Sequence, residues 1–297
     1  MKYHRLSCRA LLVFTVALSV LLWSFLQVNF NLSPHKNLEA FVFVATDDKY
    51  AERALVSAFS LKEVKTSKPI VLICSPSVAS VSRFRDHGVF SDVVIRPELT
   101  APQNAQNPNL LLRPSLTRTF TKLNIWTLTS YNKIVYLDSD TLVLRNIDDL
   151  FEREELSAAS EDLWPDVFNS GVLVVRPSRE TFRRLIKRAQ SEPSWDGTDQ
   201  GLVNDVYGEK WRNIPNRRLP YTYNMAYSAF RLYRSAHDRY KDDIRVVHFL
   251  GTLEKKPWQY TLNETTNELE PFADIYVKKW WTIYLNFVER KTKKITF

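Results

Sequence analysis

The sequence predicts an α/β fold, in which helices connect the strands of one sheet. Short apolar runs alternate along the chain with amphipathic segments of helical spacing, as expected for strands and crossover helices. The runs stop at polar turns, which is typical of buried parallel strands. The chain has 297 residues, of which 44% are hydrophobic and 25% charged. This composition suits a folded domain with a sizeable core.

The apolar runs predict six strands, and the segments with helical periodicity predict four helices. The first strand ends directly before Thr46, and the fourth ends directly before Asp138. Prolines and amides mark residues 100–115 as a loop. The predicted strands span residues 40–45, 70–74, 93–95, 133–137, 168–175 and 244–249, and the predicted helices span 49–62, 80–87, 121–131 and 179–190.

The N-terminus has the pattern of a membrane anchor. Residues 10–28 carry no charge and nearly match the thickness of a bilayer core, while Lys2, Arg5 and Arg9 precede them. We therefore predict a transmembrane helix that begins a single-pass type II Golgi protein, with a cleaved signal peptide as the alternative. The predicted order is a cytosolic tail (1–9), the anchor (10–28), a stem (29–38), a catalytic domain (39–262) and a C-terminal helical segment with a basic tail (263–297).

Composition and missing motifs exclude several functional classes. The net charge is +8, but basic residues are mixed with acidic ones along the chain, so we predict no nucleic-acid partner. The two cysteines, Cys8 and Cys74, provide neither a disulfide framework nor a cysteine zinc site. The six glycines form neither a dinucleotide-binding fingerprint nor a P-loop.

The strongest chemical signal is Asp138-Ser139-Asp140, which directly follows a predicted buried strand. Ligands of open α/β sheets collect at the carboxyl ends of strands. Two carboxylates at this place can bind one Mn²⁺ or Mg²⁺, which prefer oxygen ligands and can bridge to a diphosphate. A helix N-cap or an exposed turn is the alternative interpretation of the triplet.

Other candidate residues are ambiguous when each is taken alone. His248 lies near the end of a predicted strand, and a lone histidine is more often structural than a ligand. Asp199, in the loop from Asp196 to Gly201, either caps the following helix or faces a reacting centre; the cap is favoured. Asn169 is either a turn residue or part of a site.

Twelve segments of the sequence carry a family resemblance, in the order 46–50, 123–126, 136–144, 146–151, 153–159, 164–166, 168–172, 199–201, 219–220, 223–224, 246–251 and 256–258. Together they resemble the glycogenin-like glycosyltransferases of family 8. The resemblance implies a GT-A fold, with a Rossmann-like nucleotide-sugar domain around a mixed sheet. It also implies a UDP-sugar donor, Mn²⁺ (with Mg²⁺ as an alternative) and retention at the anomeric carbon.

The resemblance also implies roles for individual residues. Asp138, Asp140 and His248 would be the metal ligands, and Lys256 would hold the diphosphate. A metal and Lys256 would offset the charge on leaving UDP, and Asp199 would stabilise the sugar carbon as a nucleophile or as an ion-pair partner. The implied catalytic residues are Asp199, Lys256 and Asp196, and the donor-binding residues are Thr46, Asp47, Tyr50, Arg113, Lys122, Asp138, Ser139, Asp140, Asn169, Asp196, Asp199, Gln200, Asn224, His248, Gly251 and Lys256. Glu161 stands where the family places an acid on the sugar.

The acceptor is where the sequence departs from the family. Glycogenin glucosylates its own tyrosine, and an ungapped alignment places Arg231 at that position, with Tyr233 two residues later. The leading hypothesis is therefore a Golgi enzyme that transfers a hexose, with glucose favoured, from UDP to a glycan or protein acceptor. One alternative is a cytoplasmic, self-glucosylating glycogenin that primes glycogen synthesis. Another is a UDP-sugar-binding pseudoenzyme or scaffold.

The C-terminal aromatic residues Trp280, Trp281, Tyr284 and Phe287 have two interpretations. They form either a homodimer interface or a helix face packed on its own domain. We favour packing within the domain.

Overall fold

The computed structural model describes residues 38–100, 114–250, 255–263, 269–271 and 273–288. The described residues from Glu39 onward belong to one compact unit. Its centre is a five-stranded sheet in the order β3-β2-β1-β4-β7. These strands are β1 (Glu39–Ala45), β2 (Ile70–Cys74), β3 (Asp92–Ile95), β4 (Lys133–Leu137) and β7 (Val172–Val175).

The central sheet is mixed. Strands β1 to β4 pair in parallel, whereas β7 runs antiparallel to β4, with Leu137 opposite Val172. Two smaller sheets flank it. The first has the order β5-β10-β9 and contains β5 (Thr141–Val143), β9 (Met225–Ala226) and β10 (Val246–His248); the second pairs β6 (Ala158–Ala159) with β8 (Arg218–Leu219).

Alternate residues of the central strands face two different cores. In β1, Phe41 and Phe43 belong to one core, and Ala40 and Val42 belong to the other. This division follows from the two-residue period of a strand, and it explains why the runs are apolar throughout. Both faces of the sheet are therefore covered.

Helices and 3₁₀ segments pack against the two faces of the central sheet. The α-helices are α1 (Asp48–Glu63), α2 (Val81–Asp86), α3 (Arg179–Ser191), α4 (Asp199–Asn213), α5 (Ala229–Leu232), α6 (Arg234–Tyr240) and α7 (Ile275–Ile283). The 3₁₀ segments are Pro114–Thr127, Asp148–Glu152, Pro215–Arg217, Tyr221–Tyr223 and Pro257–Gln259, and a π-helical turn covers Tyr284–Val288. Helices α1 and α7 contribute to one core, and α3, α4 and the long 3₁₀ segment contribute to the other.

Three predicted elements differ from those observed. The predicted helix 121–131 is instead the 3₁₀ segment Pro114–Thr127, and the predicted strand 168–175 is confined to β7. Residues 168–171 form the loop before β7, where side chains of the candidate site lie. The predicted strand 244–249 shortens to β10.

The predicted fold class is wrong in its membrane part. Across the residues that the structure describes, no helix is long and apolar enough to cross a bilayer. Residues 10–28, which carried that prediction, lie outside the described residues, as do the tail 1–9 and residues 29–37 of the stem. The architecture described here is the α/β domain.

The C-terminal aromatic side chains pack on their own domain. Trp280 is 3% exposed within the core beneath α1, and its ring stacks on Tyr284 with centroids 5.2 Å apart. Phe287 stacks on Phe59 of α1 at 4.8 Å. These contacts agree with the favoured interpretation of the aromatic stretch.

Candidate active site

A cavity of about 400 Å³, lined mostly by polar residues, opens at the carboxyl ends of β1 and β4. Its volume lies within the range of small-ligand sites. The cavity brings together side chains from across the described chain, including twelve of the predicted donor-binding residues. These are Thr46, Tyr50, Lys122, Asp138, Ser139, Asp140, Asn169, Asp196, Asp199, Gln200, His248 and Lys256.

Asp138, Asp140 and His248 form a cluster at one wall of this cavity. One ligand atom from each lies within 4.8 Å of the other two, and no other such group occurs among the described residues. The Nε2 atom of His248 is 3.1 Å from Asp140 Oδ1 and 3.7 Å from Asp138 Oδ2. Two carboxylates and one imidazole are a suitable donor set for a divalent cation such as Mn²⁺.

Strand pairing creates this cluster. Strand β10 runs antiparallel to β5 with His248 opposite Thr141, and the backbone N–H of Phe249 donates to the Asp140 carbonyl at 2.9 Å. Asp138 directly follows β4, and its N–H donates to the Gly171 carbonyl at 2.8 Å. The register of two strand pairs therefore fixes the site.

Lys122 connects the aspartate pair to Asp199. Its buried Nζ is 3.2 Å from Asp138 Oδ1 and 2.8 Å from Asp199 Oδ2, and it donates to the Ser170 hydroxyl at 2.9 Å. Burial acts to lower the pKa of Lys122, but the charges of Asp138 and Asp199 outweigh it and raise the pKa. Lys122 is therefore a fixed cation that holds both carboxylates in place.

Lys256 holds the other aspartate. Its Nζ is 2.8 Å from Asp140 Oδ2, and both side chains are about one-fifth exposed. Burial acts to raise the pKa of Asp140, but Lys256 and His248 outweigh it and hold that pKa well below its usual range. Asp140 is thus an anion at neutral pH and can act as a ligand.

Asp199 does not cap its helix. Thr198 is the N-cap residue of α4, and its hydroxyl accepts from the Gln200 N–H. Asp199 is the first helical residue, only 3% exposed, and its carboxylate accepts from the Ser170 hydroxyl at 3.0 Å. The favoured cap interpretation is therefore wrong, and Asp199 faces the cavity.

Several predicted site residues are engaged elsewhere. Asp47 is the N-cap of α1 and does not line the cavity. Asp196 reaches the cavity, but its two carboxylate oxygens accept from Ser194 and Thr198 within their own loop. Asn224 is 2% exposed and contacts other protein groups. Arg113 and Gly251 lie outside the described residues.

Tyr233, the candidate self-acceptor, lines a second and largely apolar cavity together with Leu163 and Tyr240. It lies between α5 and α6, and 66% of it is exposed. Tyr227 is buried and donates its hydroxyl to Asp274. Of these two tyrosines, Tyr233 is therefore the one that solvent reaches.

The sequence matches the family model described as Glycosyl transferase family 8 over residues 41–262. The chain is a member of Glycosyl transferase family 8. That range contains the aspartate pair, His248, Lys122 and Asp199, and also Lys256.

Among curated proteins, this family 8 chain is similar to glycogenins. It is 44% identical over 254 residues to glycogenin-1 of Mus musculus, which covers 83% of this chain and 75% of that protein. It is 40% identical to human glycogenin-1, and the match covers 83% of this chain and 71% of the human protein. It is 42% identical to glycogenin-1 of Caenorhabditis elegans, and that match covers 83% of this chain and 55% of the other protein. The predicted enzyme class, a glycogenin-like glycosyltransferase, is confirmed.

Solved structures share the fold. The glycosyltransferase GlyE of Streptococcus pneumoniae TIGR4 matches with a TM-score of 0.56 at 21% identity, covering 84% of this chain and 60% of that one. The galactosyltransferase LgtC, solved with donor and acceptor sugar analogs, also matches with a TM-score of 0.56, at 16% identity. That match covers 86% of this chain and 97% of LgtC. The predicted GT-A-type α/β fold with a mixed sheet is therefore confirmed.

The comparisons also correct the leading hypothesis of the sequence analysis. That hypothesis combined a transmembrane signal anchor with a Golgi enzyme, and it treated glycogenin as an alternative. The curated relatives at 40% identity or more named above are glycogenins, and no membrane-crossing helix occurs in the described parts of the chain. The Golgi anchor is withdrawn, and the glycogenin alternative is the better supported one.

Sequence reasoning missed two residues that support the site. Tyr136 donates its hydroxyl to Asp138, and Ser170 donates to Asp199 while accepting from Lys122. Tyr136 was recognisable, because it lies two residues before Asp138 on a strand and alternate residues share a face. Ser170 gave no comparable signal, since its role depends on Lys122, 48 residues away.

Proposed function

We propose that this chain is a retaining, glycogenin-type glucosyltransferase, which transfers glucose from UDP-glucose to a tyrosine of its own chain and so primes an α-glucan. The observation that carries the proposal is the Asp138–Asp140–His248 cluster, with Lys256 beside it, in a cavity of a glycogenin-like chain. This is the alternative function of the sequence analysis, now placed first.

In this proposal Asp138, Asp140 and His248 hold a divalent cation, Mn²⁺ first and Mg²⁺ second. The bound cation would offset the negative charge of the UDP diphosphate. Lys256 is bonded to Asp140, one of the proposed metal ligands, so it would supply a second positive charge beside the diphosphate. Neither role requires a glycine-rich phosphate loop.

Asp199 is the carboxylate proposed to face the donor sugar. Its ion pair with Lys122 and its bond from Ser170 fix its orientation inside the cavity. A fixed carboxylate can stabilise positive charge at the sugar carbon. Gln200 and Asn169 also line the cavity and are proposed to bind sugar hydroxyls.

Tyr233 is the proposed self-acceptor, and its exposure supports this role. A second candidate function is transfer to a separate glycan. Arg231, at the position matched to the family's tyrosine, favours this second function because arginine cannot accept a sugar through a hydroxyl. The proposed location is the cytoplasm, which the sequence analysis linked to a glycogenin.

Incubation of the purified protein with labelled UDP-glucose and Mn²⁺ tests the proposal. Label on the wild-type protein that is lost in Tyr233→Phe is the expected result, and Asp140→Asn, which removes a proposed ligand, serves as the inactive control. Label only on an added maltosaccharide would support the second function. No UDP release and no transfer from UDP-glucose, or from other UDP-sugars, would overturn both and favour a pseudoenzyme.

A further inference from the structure

We propose that a relay of two side-chain amides, Asn169 and Asn224, oriented by the Gly171 N–H and the Glu161 carboxylate, sets the tautomer of His248 and directs its Nε2 at the aspartate pair. Asn224 would thus be a positioning residue and not a sugar contact. The role of the relay in cation binding rests on the proposed function, whereas the tautomer of His248 does not.

The relay begins at a backbone group that can only donate. The N–H of Gly171 lies 2.8 Å from one side-chain atom of Asn169, so that atom is the acceptor Oδ1. The NH₂ of Asn169 must then point the other way, where it meets the carboxylate of Glu161 at 2.9 Å. Both ends of the Asn169 amide are therefore assigned by chemistry.

This assignment passes to Asn224. The side chain of Asn224 approaches Asn169 Oδ1 at 2.8 Å and must present its NH₂ there, because two carbonyl oxygens would repel. Its own Oδ1 is then directed at Nδ1 of His248, at 2.9 Å. An amide oxygen only accepts, so Nδ1 carries a proton.

With the proton on Nδ1, the lone pair of a neutral His248 lies on Nε2. That atom faces Asp140 Oδ1 at 3.1 Å and Asp138 Oδ2 at 3.7 Å. A bare lone pair directed at two carboxylates is unfavourable, and either a proton on Nε2 or a metal ion between the three groups relieves it. The relay therefore prepares the three groups for a metal ion, as outer hydrogen-bond partners of metal-binding histidines do.

Burial and packing keep the relay in one arrangement. Asn169, Asn224 and His248 are 8%, 2% and 3% exposed. A Cβ added to Gly171 would lie 2.2 Å from His248 Cε1 and 2.9 Å from Asn169 Oδ1, so the glycine leaves room for both side chains. At the far end, the Glu161 carboxylate also accepts from Gln200, which lines the donor cavity.

Two measurements on the full chain test the relay. Nitrogen-15 NMR of the histidine rings in metal-free protein, near pH 9 where imidazoles are ordinarily neutral, reports the tautomer. Loss of the free Mn²⁺ signal in electron paramagnetic resonance reports cation affinity. The variants are Asn224→Leu, which removes both amide functions, and Asn224→Asp, which keeps an acceptor for His248 Nδ1.

We expect the wild-type ring of His248, assigned by its loss in His248→Gln, to be protonated on Nδ1. Asn224→Leu should weaken Mn²⁺ binding about 10- to 100-fold. Asn224→Asp should bind Mn²⁺ more tightly than Asn224→Leu but less tightly than wild type, because it keeps the acceptor for Nδ1 and loses the donor to Asn169 Oδ1. Asn124→Leu is the matched control, because Asn124 is equally buried but bonds to the carbonyls of Pro97 and Thr121. It should bind Mn²⁺ as wild type does.

A wild-type His248 protonated on Nε2 would overturn the relay without any variant, even if Asn224→Leu failed to fold. Equal Mn²⁺ affinity in wild type and Asn224→Leu would overturn its role in cation binding. If wild type bound no Mn²⁺ but showed the Nδ1 tautomer, the proposed function would fail while the relay stood.

Discussion

At the scale of single residues, charge pairing decides what the cavity can do. Lys122 and Asp199 are both nearly inaccessible, and with Asp138, whose side chain is 25% exposed, they form a group of one positive and two negative charges. Burying ions is costly, and the cost is offset only while every charge keeps its partner. This group therefore depends on each of its members.

Replacing Lys122 by methionine should lower the free energy of unfolding by about 3 kcal/mol or more, because the buried carboxylate of Asp199 and the partly buried one of Asp138 lose their cation. Urea denaturation in metal-free buffer measures the loss. Lys68→Met is the matched control: Lys68 pairs with Glu39 at 2.7 Å, but both side chains are about a quarter exposed. Lys68→Met should lower the free energy of unfolding by about 1 kcal/mol or less. Equal losses in the two variants would contradict the special role of Lys122.

At the scale of secondary structure elements, polar contacts join segments that the cores do not reach. Asp148, at the start of the 3₁₀ segment after β5, accepts from the hydroxyl of Thr66 and from the N–H of Ser67, beyond the end of α1. Burial acts to raise the pKa of Asp148, but these hydrogen bonds outweigh it and lower the pKa. The ionised carboxylate thus joins two loops 81 residues apart.

Asp148→Asn should lower stability by about 1 kcal/mol at pH 7, a modest value because the carboxylate is partly exposed. A lowered folded pKa contributes stability above the ordinary carboxyl pKa of about 3.9, and loses it as the pH falls further. The difference in free energy of unfolding between wild type and Asp148→Asn, measured from denaturation curves, should therefore become smaller below about pH 4. Asp166→Asn, at an exposed position, is the control. A difference that does not change with pH would contradict this account.

At the scale of the whole molecule, the cavity draws on residues from Thr46 to Lys256. Elements from both cores and from two sheets must be folded before these side chains meet. A ligand that binds only the folded state stabilises it by mass action. Occupation of the cavity should therefore stabilise the entire domain and not one loop.

UDP and Mn²⁺ together, at about 100 times their dissociation constants, should add about 2.7 kcal/mol of stability. For a domain of this size the expected rise in melting temperature is about 5 °C or more, measured by calorimetry. Asp138→Asn should abolish the rise, while Asp166→Asn should keep it. A rise in the Asp138→Asn variant equal to that of wild type would mean that UDP binds without this cluster.

The sequence by itself determined the strands and the position of the aspartate pair. A strand covered on both faces must be apolar at every position, so β1, β2 and β4 were visible as runs. Asp138 and Asp140 were recognisable because the end of such a run marks the ligand-binding edge of a sheet. The family resemblance then supplied residue types at distant positions, including His248 and Lys256.

Only the tertiary structure decided which groups those side chains contact. Asn224 was predicted to line the donor sugar, yet it is buried against His248 and Asn169. Taken alone, Asp199 was favoured as a helix cap, and the resemblance implied a catalytic role; in the structure it pairs with Lys122 inside the cavity. The physical reason is separation along the chain. His248 meets Asp140 across 108 residues, through a strand register that only the packed sheets fix.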